Sequence, residues 1–224
     1  MECFNRYQAE FFIVLGSLIV LYLPYLGKFF RITNTMVHET GHAIMALFTS
    51  GEVDSIELNP NASGLTKTKS KSRWASILIT LSGYLFASGF AWLSFWILSN
   101  KNYVWFFYLM LATALLNLML WVRSGFGILW LLIFITTIGL VWWYFPGKIS
   151  AWFALSLATM LQAESLFTTF VLLKISITKS SAAGDATQLQ KILWLPAVIW
   201  AILFVSFALF CTYAVLDMLP CISI

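Results

Sequence analysis

Charge is scarce in this chain, and histidine is scarcer still. Only 10% of its 224 residues are charged, against 61% hydrophobic, and the mean hydropathy is +0.88. That balance excludes a soluble globular domain of this length and leaves an integral membrane protein. Cysteine is also rare. Cys3, Cys211 and Cys221 stand at the two ends of the chain without metal-type spacing, which excludes a disulfide framework and a thiolate site. No internal repeat is evident and no polar linker is long enough to separate one domain from another, so residues 1–224 read as one transmembrane domain. The opening MECFNRYQAE has mixed charge and the first apolar run ends in PYLGKFF, a pattern unlike a cleavable signal peptide and like a retained span. The net charge of +4 is modest, and no nucleic-acid partner is expected.

What is abundant is apolar sequence in runs. They cover Phe11 to Gly27, Trp74 to Leu98, Tyr103 to Val122, Phe126 to Phe145, Ala151 to Leu173 and Ile192 to Leu216. Each is near the length a helix needs to cross ~30 Å of hydrocarbon. A further segment, Met36 to Thr49, has only about three to four helical turns, so it reads as a short or tilted span, or as a helix sheltered by its neighbours. The expected fold class is an all-α polytopic membrane protein with about six to seven transmembrane helices. Between Gly51 and Arg73, Val53, Ile56 and Leu58 bracket polar residues and Pro60 to Gly64 supplies turn chemistry, which predicts a short β-hairpin.

Lys and Arg near span ends set the orientation. The densest cluster, Lys67, Lys69, Lys71 and Arg73, is expected on the cytosolic side. Counting alternate connections adds Arg6, Arg123, Lys174, Lys179 and Lys191 to that side, against Lys28, Arg31, Lys101 and Lys148 opposite. The count requires the histidine segment to cross. Binding of anionic lipid head groups by the same cluster agrees with this orientation.

The chain's two histidines lie together, in VHETGHAIM, flanking a glutamate. On a helix, the four-residue spacing of His38 and His42 sets both imidazoles on one face about a turn apart, a two-point clamp for zinc. Glu39 points roughly 100° around the helix, placed to take a proton from a water that the ion acidifies. Ionisable groups at membrane depth are rare and usually functional. Buried histidines hydrogen-bonded across helices would not need this spacing or the adjacent acid.

A catalytic zinc usually has three protein ligands, so one more is needed, and with no further histidine it should be a carboxylate. Glu52, Asp54 and Glu57 belong to the hairpin, and Glu2, Glu10 and Asp217 lie near span ends. Glu164 and Asp185 remain. Glu164 lies deep in an apolar run, where a hydrogen-bonded acid facing the bundle is the plain alternative. Asp185 follows Ala182, Ala183 and Gly184, small residues that let a loop approach a helix closely, and its plain alternative is a helix N-cap.

Four stretches occur in the order VHETGHAIMALFTSGEVDSIELNPNASGLTKT, LSGYLFASGF, WVRSGFGILW and GDATQLQKILWLPAVIWAILF. Together they resemble the small membrane metallopeptidase-like family allied to site-2 proteases, the peptidase M50B-like proteins. The resemblance implies a zinc-dependent intramembrane peptidase with one zinc ion, His38 and His42 as ligands and Glu39 as base. It also implies that Asp185 matches the acid of the family's Ser-Asp-Ala motif, with Gly184 in place of the serine. The wider site-2 proteases take their third ligand from an aspartate on another helix. The corresponding stretch here keeps Asn117 and has no aspartate, so Asp185 supplies the ligand or the site is incomplete.

Glu39 to Gly51 spans roughly 18 Å of helix. Asp185 would therefore have to dip inward on a re-entrant loop to meet the histidines, unless their helix is tilted or displaced. The leading functional reading is hydrolysis of peptide bonds in membrane-embedded protein substrates, in the cell membrane of a bacterium or else an organelle membrane. Asn117 is a candidate oxyanion or substrate-backbone partner, with an interhelical hydrogen bond as its plain alternative. The rival readings are a noncatalytic zinc-containing membrane adaptor and a metal-ion carrier that would use His38, His42 and Glu164.

Overall fold

A computed structural model describes residues 2–219. Cys221 and the side chains of Glu2, Cys3 and Arg6 lie outside the described residues. Eight helices and one hairpin follow in order: α1 (Glu2–Tyr22), α2 (Leu26–Phe48), β1 (Glu52–Leu58), β2 (Gly64–Lys69), α3 (Arg73–Ser99), α4 (Tyr103–Leu116), α5 (Gly125–Tyr144), α6 (Lys148–Thr178), α7 (Gly184–Leu193) and α8 (Ala197–Met218). Five of the helices, α3, α5, α6, α8 and α4 with its continuation to Trp121, are long and apolar enough to cross a membrane. Counting α1 and α2 as one broken span makes six, the lower end of the expected number.

The largest departure from the sequence reading lies at the start. The first span was expected to run to Gly27, but the chain breaks at Leu23–Tyr25, beside Pro24, and α2 leaves at 97° to α1. Proline has no amide to continue the helical ladder. Gly27 allows the bend because a Cβ there would lie 2.1 Å from the Leu21 carbonyl oxygen. The histidine helix is thus 23 residues long rather than three to four turns. It is one limb of a bent pair and does not by itself have the length and apolarity of a separate span, so the side of the membrane expected for Arg6 no longer follows from counting charges.

α2 packs against α3 and α6, and α3 packs against α6 and α8. The main core joins Met36 and Val37 of α2 to Phe106, Phe107 and Phe134 of the following helices. The hairpin is built into it, since Ile56 and Leu58 are fully buried. The strands pair antiparallel with Ile56 opposite Thr66 and Leu58 opposite Gly64, and a register shift falls between Val53 and Ser55. Glu52, Asp54 and Glu57 all lie on β1, as expected. Two members of the basic cluster face them, Lys67 at 2.7 Å from Glu57 and Lys69 at 2.8 Å from Asp54. These exposed pairs reduce the free positive charge available to lipid head groups.

α4 continues into a π-helical turn, Asn117–Trp121, and then breaks. The wider turn lets Val122 leave the helix and form a parallel bridge with Ile56. Arg123 donates its amide to the Ile56 carbonyl at 3.2 Å, and the Ser124 hydroxyl bonds both the amide and the carbonyl of Leu58. The outer edge of β1 is therefore covered. The last apolar run also divides, because Trp194 adopts a left-handed conformation ahead of Pro196, separating a short α7 from α8. Ala186 and Leu189 anchor α7 in a second small core with Ile77 and Phe204.

Candidate metal centre

Two turns of α2 present His38 and His42 toward α3. The His42 Nδ1 lies 2.6 Å from the Ile79 carbonyl oxygen. A carbonyl only accepts, so Nδ1 carries a proton, and whenever the ring is neutral its Nε2 is a bare lone pair able to bind a metal. That Nε2 lies 3.1 Å from His38 Nε2. α3 can approach this closely because residue 83 is glycine: a Cβ there would sit 2.5 Å from His42 Nε2 and 2.6 Å from His38 Nε2. Next to it, the Tyr84 ring meets the His38 ring edge-on with centroids 4.5 Å apart.

Asp185 comes to the same point from α7. Its Oδ2 lies 3.3 Å from each imidazole Nε2. No irregular re-entrant loop carries it. After α6, a short 3-10 turn (Ser180–Ala182) leads into the first turn of α7, and the bend of α2 supplies the rest of the approach. Asp185 does not cap its helix, since Ala183 is the N-cap and no side chain bonds it. Gly184 has φ +45°, a conformation that serine would adopt only under strain, which accounts for glycine at this place. Burial works against the charged form of Asp185, and the facing His42 and His38 outweigh it, holding the carboxyl well below the usual carboxylate range. The group is therefore an anion, the form that binds metal.

The chemistry of these atoms fits a cation. The Asp185 Oδ2 is buried and accepts no hydrogen bond. Two imidazole nitrogens and a carboxylate oxygen gathered in this way need a positive charge among them, a shared proton or a metal ion. In a tetrahedron with bonds of ~2.0–2.1 Å the ligand atoms stand about 3.3–3.4 Å apart. The separations of 3.1, 3.3 and 3.3 Å match that edge. Among the described residues, His38, His42 and Asp185 form the cluster of side chains able to hold a metal ion.

Glu39 lines the same cavity, of about 470 Å³, with the three ligand candidates, Thr35, Tyr84 and the inward residues of β2. Its side chain is buried, and its Oε2 accepts a hydrogen bond from the Thr66 hydroxyl at 2.6 Å. Glu164 does not join this group. Its carboxylate lies 3.5 Å from Arg31 Nε, and the Arg31 guanidinium stands over the Phe167 ring. Asn117 is fully buried and does not line the cavity. Its amide donates to Thr40 at 2.7 Å and to the Thr113 carbonyl at 2.9 Å, the interhelical alternative.

A family model described as Peptidase M50B-like matches residues 11–215. The chain belongs to that family. With at least five helices able to span a bilayer, it is a multi-pass membrane protein of metallopeptidase type. No curated protein and no solved structure matches it. Reasoning from the sequence missed Gly83, Gly64, Tyr84, Thr66 and the Ile79 carbonyl. Each acts on the site from another element, and the recurring small residues of LSGYLFASGF were the one local signal that a helix approaches closely there.

Proposed function

We propose that this M50B-like protein is a zinc-dependent intramembrane peptidase that hydrolyses peptide bonds of membrane-embedded protein substrates. One observation carries the reading: two imidazole nitrogens and a carboxylate oxygen stand at tetrahedral spacing beside a buried glutamate that lines the same cavity. His38, His42 and Asp185 would hold one zinc ion. When bound, zinc supplies Lewis acidity that lowers the pKa of a water and polarises the scissile carbonyl.

The chain's own groups do the remaining work. The Ile79 carbonyl fixes the tautomer and orientation of His42, as partners of metal-ligating histidines commonly do. Glu39 takes the proton of the attacking water and passes it to the leaving nitrogen. Gly64, Thr66 and Thr68 turn toward the cavity along β2. With the β1 edge covered by Val122, the free edge of β2 offers main-chain groups to an unwound substrate by strand addition. The carrier reading needs Glu164 as a waystation, and that carboxylate is held by Arg31.

The test is cleavage of a transmembrane-helix substrate by purified protein with zinc, in wild type and Glu39→Gln. The variant should bind one zinc per chain and lose cleavage by several orders of magnitude. Undiminished cleavage would refute the role of Glu39, and an inactive wild type that binds zinc would favour the adaptor.

A further inference from the structure

The buried carboxylate of Glu39 is gripped from across the cavity by β2. The Thr66 hydroxyl donates to Oε2 at 2.6 Å and lies 3.2 Å from the backbone oxygen of the same residue. A hydroxyl has one proton to give, and the shorter, charge-assisted contact takes it. Two residues earlier on the strand, a Cβ at Gly64 would lie 2.4 Å from Oε1 and 2.7 Å from Cγ. The strand therefore crosses directly over the carboxylate, with a donor on one oxygen and only a glycine against the other. A turn before Glu39 on α2, the Thr35 hydroxyl donates to the Ala62 carbonyl at 2.8 Å, fixing the hairpin turn to the same helix.

The seat of β1 does not depend on Thr66. Ile56 and Leu58 are fully buried, Val122 bridges β1, and Ser124 bonds both main-chain groups of Leu58, all on the strand away from the cavity. Thr66 is also the one side-chain donor to Glu39 among the described residues. A contact that the fold can spare, made on the one buried acid of α2 that lines the cavity, points to a role in positioning.

We propose that Thr66 is a positioning residue for Glu39: it anchors Oε2, leaves Oε1 to take the proton, and so places the base under the control of the strand along which substrate is added. The proposal rests on the peptidase reading. It makes the hairpin and the base one thermodynamic unit, in which whatever shifts β2 shifts Glu39 and the converse holds equally. A substrate long enough to extend along β2 would then be cleaved faster at saturation, and not merely bound more tightly.

The test uses the full chain with Thr66→Val, which keeps shape and removes the donor, and Thr66→Ser, which restores it. With a membrane-embedded substrate and zinc, Thr66→Val should lower kcat by about ten- to a hundredfold, the range for a hydrogen bond to a charged group. KM should stay within about twofold and zinc at one per chain, and Thr66→Ser should recover most of the loss. Amide hydrogen exchange supplies a readout independent of activity. Thr66→Val and Glu39→Ala should each speed exchange of residues 64–69, and the double variant should add little to either, as expected for two ends of one contact. Wild-type kcat in Thr66→Val, failure of serine to restore it, or hairpin exchange indifferent to Glu39→Ala would each overturn the proposal. If the wild type cleaves nothing, the peptidase reading falls, and the exchange measurement alone decides whether Thr66 ties the hairpin to Glu39.

Discussion

An alanine at position 83 should separate the metal centre from the fold that carries it. Its Cβ would lie 2.5 Å from His42 Nε2 and 2.6 Å from both Cε1 and Nε2 of His38. Ordinary contacts to carbon begin near ~3.5 Å, so each ring would have to retreat by about 0.9–1.0 Å. Metal–ligand distances tolerate only about ±0.2 Å. Changes in the groups that merely orient ligands cost about 10–100-fold in metal affinity, so moving two ligating nitrogens together should cost more than about a hundredfold. The helix responds in the opposite sense, since alanine is favoured over glycine in a helix interior by about 0.8–1.0 kcal/mol. Gly83→Ala should therefore keep its helical circular dichroism and lose its metal, measured by elemental analysis after dialysis against a chelator of known affinity. Wild-type affinity in the folded variant would refute the reasoning, and so would loss of helicity together with the metal.

Three further substitutions test roles that the sequence left as alternatives. Asp185→Ala should abolish stoichiometric zinc binding while Glu164→Ala retains it; the second variant leaves Arg31 without its carboxylate and should lower thermal stability, by about 1–3 kcal/mol for a half-buried pair. Asn117→Ala should cost about 1–3 kcal/mol by leaving the Thr40 hydroxyl and the Thr113 carbonyl without their shared donor, with zinc content unchanged.

How much of this could be read from the sequence depended on how local the signal was. The His38 and His42 pairing follows from helical spacing alone, and the hairpin from alternation around a turn at Pro60 to Gly64. Three spans, Trp74 to Leu98, Tyr103 to Val122 and Phe126 to Phe145, came within a few residues of their helices. The ends of the first and last runs did not, because hydropathy continues through Pro24 and Pro196 while the backbone turns there. Those prolines were visible, and their weight was not. The π-helical turn had no signature, since it goes with the docking of Val122 on Ile56, far back along the chain. Asp185 stood level with Glu164 on the residues alone. The difference lies in the bend of α2 and the short α7, which are tertiary facts.

X-ray absorption at the zinc edge of the purified, zinc-loaded protein tests the central claim most directly. The account predicts one ion per chain in a shell of nitrogen and oxygen at ~2.0–2.1 Å, with the multiple-scattering pattern of two imidazoles, and loss of that ion in Asp185→Ala. A sulfur shell near ~2.3 Å, fewer than two imidazoles, or an unaltered spectrum in Asp185→Ala would contradict it.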